Sequence, residues 1–260
     1  MKNILTRRFS IIMMSVIFYF LSTSQVMEET DQFLVYKFDI REQIAKPIWR
    51  ITQLAFEEAN EMKADLVIIH MNTYGGLVDM ADSIRTKILN SSIPVYVFID
   101  DNAASAGALI SIACDSIYMR PGAKIGAATV VNQTGEQVPD KYQSYMRATM
   151  RATAEAQGKD TIITENDTIV KWKRDPRIAE AMVDPSIYVP EVSDTGKVLT
   201  FTAEEAIQYG FCEGTATSVE DILAQNNIKD YEIKEFEKSE LDKIIGFLLS
   251  PIIQSLLIMF

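Results

Sequence analysis

LVIIHM (Leu66–Met71) followed at once by NTYGG (Asn72–Gly76) is the stretch on which the fold turns. Six apolar or half-apolar residues in a row, without alternation, form a strand covered on both faces, as in a parallel sheet with helices packed over it. Asn72, Thr73, Tyr74 and the two glycines end that strand in a turn, and Met80, Ile84 and Ile88 then recur at helical spacing to about Asn90. One strand, one turn and one helix are thus written in 25 residues.

The same grammar extends in both directions. Upstream, Phe33–Ile40 reads as a first strand, and Pro47 opens a helix with Ile44, Ile48, Ile51, Leu54, Ala55, Ala59 and Met62 as its inward stripe. Downstream, Val95–Ile99 is a strand, Ala103–Ala108 leads into a helix ending near Cys114, and Ser116–Met119 is a further strand. Alternation of this kind predicts a layered α/β fold with parallel strands. A helix restarts at Lys141 with Tyr142, Tyr145, Met146, Thr149 and Met150 as its pattern. The stretch 160–199, with Pro176, Pro185 and Pro190, is expected to be an irregular arm. Thr202–Glu205 is a capping box, and Gly210 ends its helix where a positive φ is wanted.

Composition bounds the function. The chain of 260 residues carries a formal net charge of −11, and no basic cluster offsets it, which excludes a nucleic-acid partner. Lys2, Arg7 and Arg8 precede the apolar run Phe9–Leu21, and Ser22, Thr23 and Ser24 follow. Residues 1–26 therefore read as a secretory signal or an uncleaved anchor. At the other end, IIGFLLSPIIQSLLIMF (Ile244–Phe260) reads as the start of a transmembrane segment, with an amphipathic or core-packing helix as the alternative. The protein is expected to continue beyond residue 260. Cys114 and Cys212 could be joined in an exported protein, but no disulfide is assigned, free buried cysteine being the commoner case; no metal-ligand spacing or phosphate loop is present, so no metal or cofactor is expected.

Two strand-to-helix turns carry chemistry. Gly75 and Gly76 present backbone N–H groups where a helix begins, and Ser105 sits among small residues at the start of another helix. A hydroxyl there, with one N–H from Ala106 and one from Gly75 or Gly76, has the parts of an acyl-transfer site. The only histidine of the chain, His70, lies inside an apolar strand and reads as a core residue. A lysine made neutral by burial is then the base, with Lys141 and Lys124 as candidates.

The order NTYGG, IPVYVFI, ASAGALIS (Ala104–Ser111) and PGAKIGAA (Pro121–Ala128) resembles the Clp-class membrane serine peptidases, and within them the NfeD-type group, partners of stomatin-like proteins. RDPRIAEAMVDPSI (Arg174–Ile187), LTFTAEEAIQYGF (Leu199–Phe211) and SPIIQSLLI resemble that group too. The resemblance implies a ClpP/crotonase-like ββα-repeat domain over residues 30–236 and cleavage of hydrophobic peptide segments near the membrane, on the exported side. It matches the nucleophile to Ser105, the lysine to Lys141, and the oxyanion donors to Gly75 or Gly76 and Ala106. It also implies a homo-oligomer and a stomatin-like or membrane-protein partner. Tyr74, where the family often has proline, and Asp140, beside Lys141, depart from the pattern. An inactive scaffold that binds a membrane partner and an acyl-CoA enzyme of the crotonase type are the competing readings.

Overall fold

Four consecutive residues of the strand Leu66–Thr73 (β2), Leu66 to Ile69, are buried to 2 % exposure or less, because helices cover both faces of the sheet at this depth. The computed structural model describes residues 32–132, 134–163, 168–250 and 253–256. Its main sheet holds eight strands among these residues. Strands β1 (Phe33–Ile40), β2, β3 (Val95–Ala104) and β4 (Ser116–Met119) pair in chain order, all parallel, with Phe38 opposite Ile69 and Ile69 opposite Val97. The later strands β9 (Gly214–Thr215) and β10 (Tyr231–Glu235) join the two edges, beside β4 and β1.

Helices α1 (Lys46–Glu61), α2 (Val78–Leu89) and α3 (Ala106–Ala113) cross between successive strands. Ile48, Ile51, Ala55 and Ala59 of α1 and Ala81, Ile84 and Ile88 of α2 pack with Phe38, Ile69 and Val97 in the larger core. Helix α3 is buried at every position, which its run AGALISIA foretells. Val35, Leu66, Ile68, Phe98 and Tyr118 point to the other face and meet Val219, Ile222 and Leu223 of α7 (Val219–Gln225). Met62, expected in the α1 stripe, is exposed instead. The helix ends one residue earlier, and Lys63 follows in the left-handed region at φ 55°.

Strand β3 outruns its apolar stretch. Past Ile99 it leaves β4 and takes β5 (Lys124–Gly126) as its partner, Asn102 opposite Lys124 and Ala104 opposite Gly126, so the strand delivers Ser105 directly. β5 pairs antiparallel with β8 (Thr200–Thr202), which leads into α6 (Ala203–Gln208) through the expected capping box, Thr202 with Glu205. Gly210 does sit at φ 64°.

Two expectations about the second half are corrected. The stretch 160–199 is irregular only in its second half: β6 (Lys159–Ile163) and β7 (Thr168–Trp172) form an antiparallel pair and α5 (Pro176–Ala181) packs on α4 (Asp140–Ala156), whereas 183–199 holds only the isolated Val189–Ser193 bridge. On α4 the inward stripe is Gln143, Met146, Met150, Thr153 and Ala154, whereas Tyr142 and Tyr145 are more than half exposed or nearly so. Two polar residues are tolerated in that stripe because each is satisfied. Gln143 accepts from Val130 N–H and donates to Val130 C=O, and Thr153 donates to Thr149 C=O.

The expected signal or anchor, residues 1–26, lies outside the described residues. Helix α8 (Glu240–Leu249) begins with a capping box at Ser239 and Asp242, and none of its residues is buried. Among the described residues no helix is long and apolar enough to cross a membrane.

Candidate active site

Ser105 stands between β3 and α3 with φ 55° and ψ −116°, a conformation that a residue with a Cβ adopts only when its surroundings enforce it. The enforcement is visible. Ser105 N–H donates to Gly126 C=O at 2.8 Å, Ser105 C=O accepts from Ala108 N–H at 3.0 Å, and β5 holds Ala104 from the side. A strained strand-to-helix turn of this kind lifts a hydroxyl clear of the sheet.

Facing it is the glycine turn that follows β2. Gly75 has φ 110°, and a Cβ placed on it would lie 2.7 Å from Ser105 Cβ and 3.1 Å from Ser105 Oγ. Only glycine lets the two turns approach so closely. Gly76 is confined from behind: a Cβ there would lie 2.1 Å from Ile44 C=O oxygen. Ile44 N–H donates to Gly75 C=O at 2.9 Å and Leu77 N–H donates to Ile44 C=O at 2.8 Å, a short parallel bridge. In that register the N–H of Gly76 itself points away from Ile44, and Gly76 lines the cleft. Gly75 N–H is already engaged, donating to Thr73 Oγ1 at 3.1 Å. The first N–H groups of α3, including that of Ala106, are free of the helix ladder by their position.

The sequence-predicted Ser105, Gly75, Gly76 and Ala106 therefore line one open cleft of about 910 Å³. Tyr74 stands 81 % exposed at the cleft, with Leu77, Val130, Val131, Met146 and Val198 giving it an apolar wall. Val130 is held by Gln143, and Thr129 Oγ1 donates to Val183 C=O at 2.8 Å, so the far wall is braced against α4 and the chain after α5.

Neither candidate lysine lines the cleft. Lys141 is exposed, its ammonium 4.7 Å from the centre of the Tyr142 ring. Lys124 is exposed as well, donating to Gly122 C=O and lying 3.6 Å from Asp101. Asp140 pairs with Arg147 at 3.5 Å and so is drawn along α4 toward another cation.

His70 stands away from the cleft, but it is only partly buried and faces two carboxylates instead of sitting in the core. Its ring stacks on Phe98 at 5.2 Å, with Asp39 at 3.5 Å on one nitrogen and Asp100 at 3.3 Å on the other. The imidazole beside Asp39 holds that carboxyl below its usual range against the burial that would raise it, with help from Lys37 and Arg41. Burial likewise opposes ionisation of Asp100, but Arg120 and His70 outweigh it and keep its pKa low. Cys114 and Cys212 are free and buried, and burial pushes both thiols up, Cys212 to about 11. Thiols so placed are poor nucleophiles.

Sequence reasoning overlooked Thr73 and Arg174. Thr73, 2 % exposed, is tied into the glycine turn; Arg174, fully buried, meets Glu213 at 3.1 Å between the sheet and α5. A short polar residue two positions before the first glycine of the pair was the available signal for the first. The second had none.

The fold is shared with proteins of the ClpP class. The 1510-N membrane-bound stomatin-specific protease, solved as a mutant with a substrate peptide, superposes with a TM-score of 0.68 at 25 % identity, covering 84 % of this chain and 98 % of that one. ClpP1 from Listeria monocytogenes superposes at 0.50 with 14 % identity, over 74 % of this chain and 94 % of that one. Residues 34–236 match the family model of the NfeD1b N-terminal domain, and the chain belongs to that family. Membrane protein NfeD1b of Bacillus subtilis is 32 % identical over 235 residues, 90 % of this chain and 50 % of that protein. Membrane-bound protease PH1510 of Pyrococcus horikoshii is 26 % identical over 249 residues, 86 % of this chain and 50 % of that protein. The chain thus spans about half the length of the curated relatives it matches.

Proposed function

We propose that residues 30–236 form the peptidase domain of a membrane-associated serine endopeptidase, with Ser105 as nucleophile, Lys141 as general base and backbone N–H groups as oxyanion donors. The observation that carries this reading is the enforced positive φ of Ser105 within contact of a glycine turn. Gly76 and Ala106 are the donors in this scheme, and Gly75 supplies the room. Attack of the Ser105 hydroxyl on a peptide carbonyl places negative charge on the carbonyl oxygen, between the two N–H groups; such donors act most strongly in a site from which water is excluded.

Lys141 must give up water to act, because an amine accepts a proton only when uncharged. Met146, five residues further along α4, lines the cleft, so Lys141 starts about 7.5 Å away along the helix axis. Re-seating the first turn of α4 over a bound peptide or against a second copy of the chain brings the amine inward. Asp140 is drawn toward Arg147, a cation that also pairs with Asp184, and so leans along α4 rather than toward Lys141 alone. The apolar wall suits hydrophobic peptide segments, and a stomatin-like protein is the partner class suggested by the 1510-N protease. The run 244–260 then holds the domain to the membrane on its exported side, in a homo-oligomer, with 1–26 serving as the secretory signal or as a second anchor.

The exposed position of Lys141 favours a second reading, a catalytically inactive scaffold that binds a membrane partner. Incubation of the detergent-purified protein with apolar peptides separates the two. The peptidase cleaves them and its Ser105→Ala variant does not, whereas a scaffold captures its partner equally well in both forms and cleaves nothing.

A further inference from the structure

Thr73 lies at the end of β2, two residues before the turn that faces Ser105. Its hydroxyl makes contacts that leave it no rotational freedom. Oγ1 donates to Glu42 C=O at 2.7 Å and accepts from Gly75 N–H at 3.1 Å. The methyl of the same side chain faces α3: a Cβ on Gly107 would lie 2.8 Å from Thr73 Cγ2. One buried side chain therefore touches the segment before α1, the glycine turn and the helix that carries Ser105 at its start.

The consequence is a choice between two neighbouring N–H groups. Neither Gly75 nor Gly76 carries a Cβ, and a free glycine pair samples several orientations of its peptide planes. Thr73 Oγ1 captures the first N–H. The Ile44 bridge captures Gly75 C=O and Leu77 N–H. What is left uncommitted is the N–H of Gly76, a residue that lines the cleft and whose N–H the bridge turns away from Ile44. We propose that Thr73 is the positioning residue that selects Gly76 N–H as the oxyanion donor, by holding Gly75 N–H out of the cleft through its hydroxyl. The inference rests on the peptidase reading and names a residue that acts through Gly76 without touching substrate.

The contribution of the hydroxyl is separable from that of the methyl. Thr73→Val keeps the shape and removes the acceptor; Thr73→Ser keeps the acceptor and removes the methyl. The experiment follows phosphonylation of the detergent-purified protein by a fluorophosphonate, resolving the limiting rate from the half-saturating concentration, with thermal unfolding as the fold control. Loss of one oxyanion donor lowers the rate of an acyl-transfer site by about 10²–10³-fold. Thr73→Val is expected to lose about 100-fold in limiting rate with an unchanged half-saturating concentration, and Thr73→Ser to stay within about 3-fold of wild type.

A Thr73→Val protein that reacts at the wild-type rate, while Ser105→Ala does not react, overturns the inference and leaves the peptidase reading standing. Should the valine variant fail to fold, the serine variant still decides: a loss there as large as that of a donor deletion assigns the effect to the methyl and refutes the hydroxyl. Absence of reaction in the wild type overturns both.

Discussion

Gly76→Ala tests the register of the glycine turn. The new Cβ would sit 2.1 Å from the oxygen and 2.6 Å from the nitrogen of Ile44, both backbone atoms that cannot rotate away. No positive φ is involved at this position, so the cost is steric alone. Forcing a methyl into a packed site costs about 1–3 kcal/mol. Relief requires the 42–45 segment to retreat, which breaks the bonds Ile44 N–H to Gly75 C=O and Leu77 N–H to Ile44 C=O, at about 1 kcal/mol each. The sum is about 3–5 kcal/mol, a fall in Tm of about 9–15 °C for a domain of this size. Gly122→Ala is the control: φ is 89° but nothing lies within 4 Å of the added methyl, so only the backbone strain of about 1 kcal/mol remains, or about 3 °C. Thermal unfolding followed by far-UV circular dichroism measures both. Equal shifts for the two variants would refute the Ile44–Gly76 pairing on which the orientation of the turn depends.

Two further outcomes follow from the charged groups behind the sheet and beside α5. Asp39 and Asp100 titrate lower folded than unfolded, so the stability they contribute is complete above the ordinary carboxylate range, roughly pH 4, and is lost as the pH falls through their depressed values. Asp100→Asn should lower stability at pH 7, by removing the partner of Arg41 and Arg120, and flatten the acid limb of stability against pH in urea titrations; an unchanged limb would contradict the assignment. Arg174→Met removes the cation from Glu213, which keeps only the Ile117 N–H, and should cost about 1–3 kcal/mol in the same titrations, with part of the loss recovered by adding Glu213→Gln; full stability of the single variant would show the pair to be dispensable.

The layers of the fold were legible because hydrophobic period is a local property. LVIIHM has no solvent face, and the stripes of α1 and α2 repeat at 3.6 residues, so β1 and β2 matched the expected positions and the helices fell within a few residues of theirs. The last five residues of β3 were not legible, since DDNAA carries no strand signal and is extended by pairing with β5 on one side and Thr73 of β2 on the other. On α4 two candidate stripes run side by side, and the sequence favoured tyrosines over Gln143 and Thr153; hydrogen bonds to Val130 and Thr149 reversed that preference. The site divides in the same way. Small residues around Ser105 and the paired glycines announce a close approach of two turns, which the fold supplies. The Ile44 bridge that fixes the glycine turn joins segments about 30 residues apart, which no local pattern records, and the exposed place of Lys141 on the tyrosine side of α4 follows from which stripe of that helix turns inward.

Intact-mass spectrometry after exposure to a fluorophosphonate, on the protein assembled in detergent or bilayers, bears most directly on the nucleophile and its base. The account predicts one adduct, on Ser105, absent from Ser105→Ala, slowed about 10²-fold or more in Lys141→Ala and unchanged in Lys124→Ala. An adduct that survives Ser105→Ala, or a wild-type protein that acquires none in any assembled form, would contradict it.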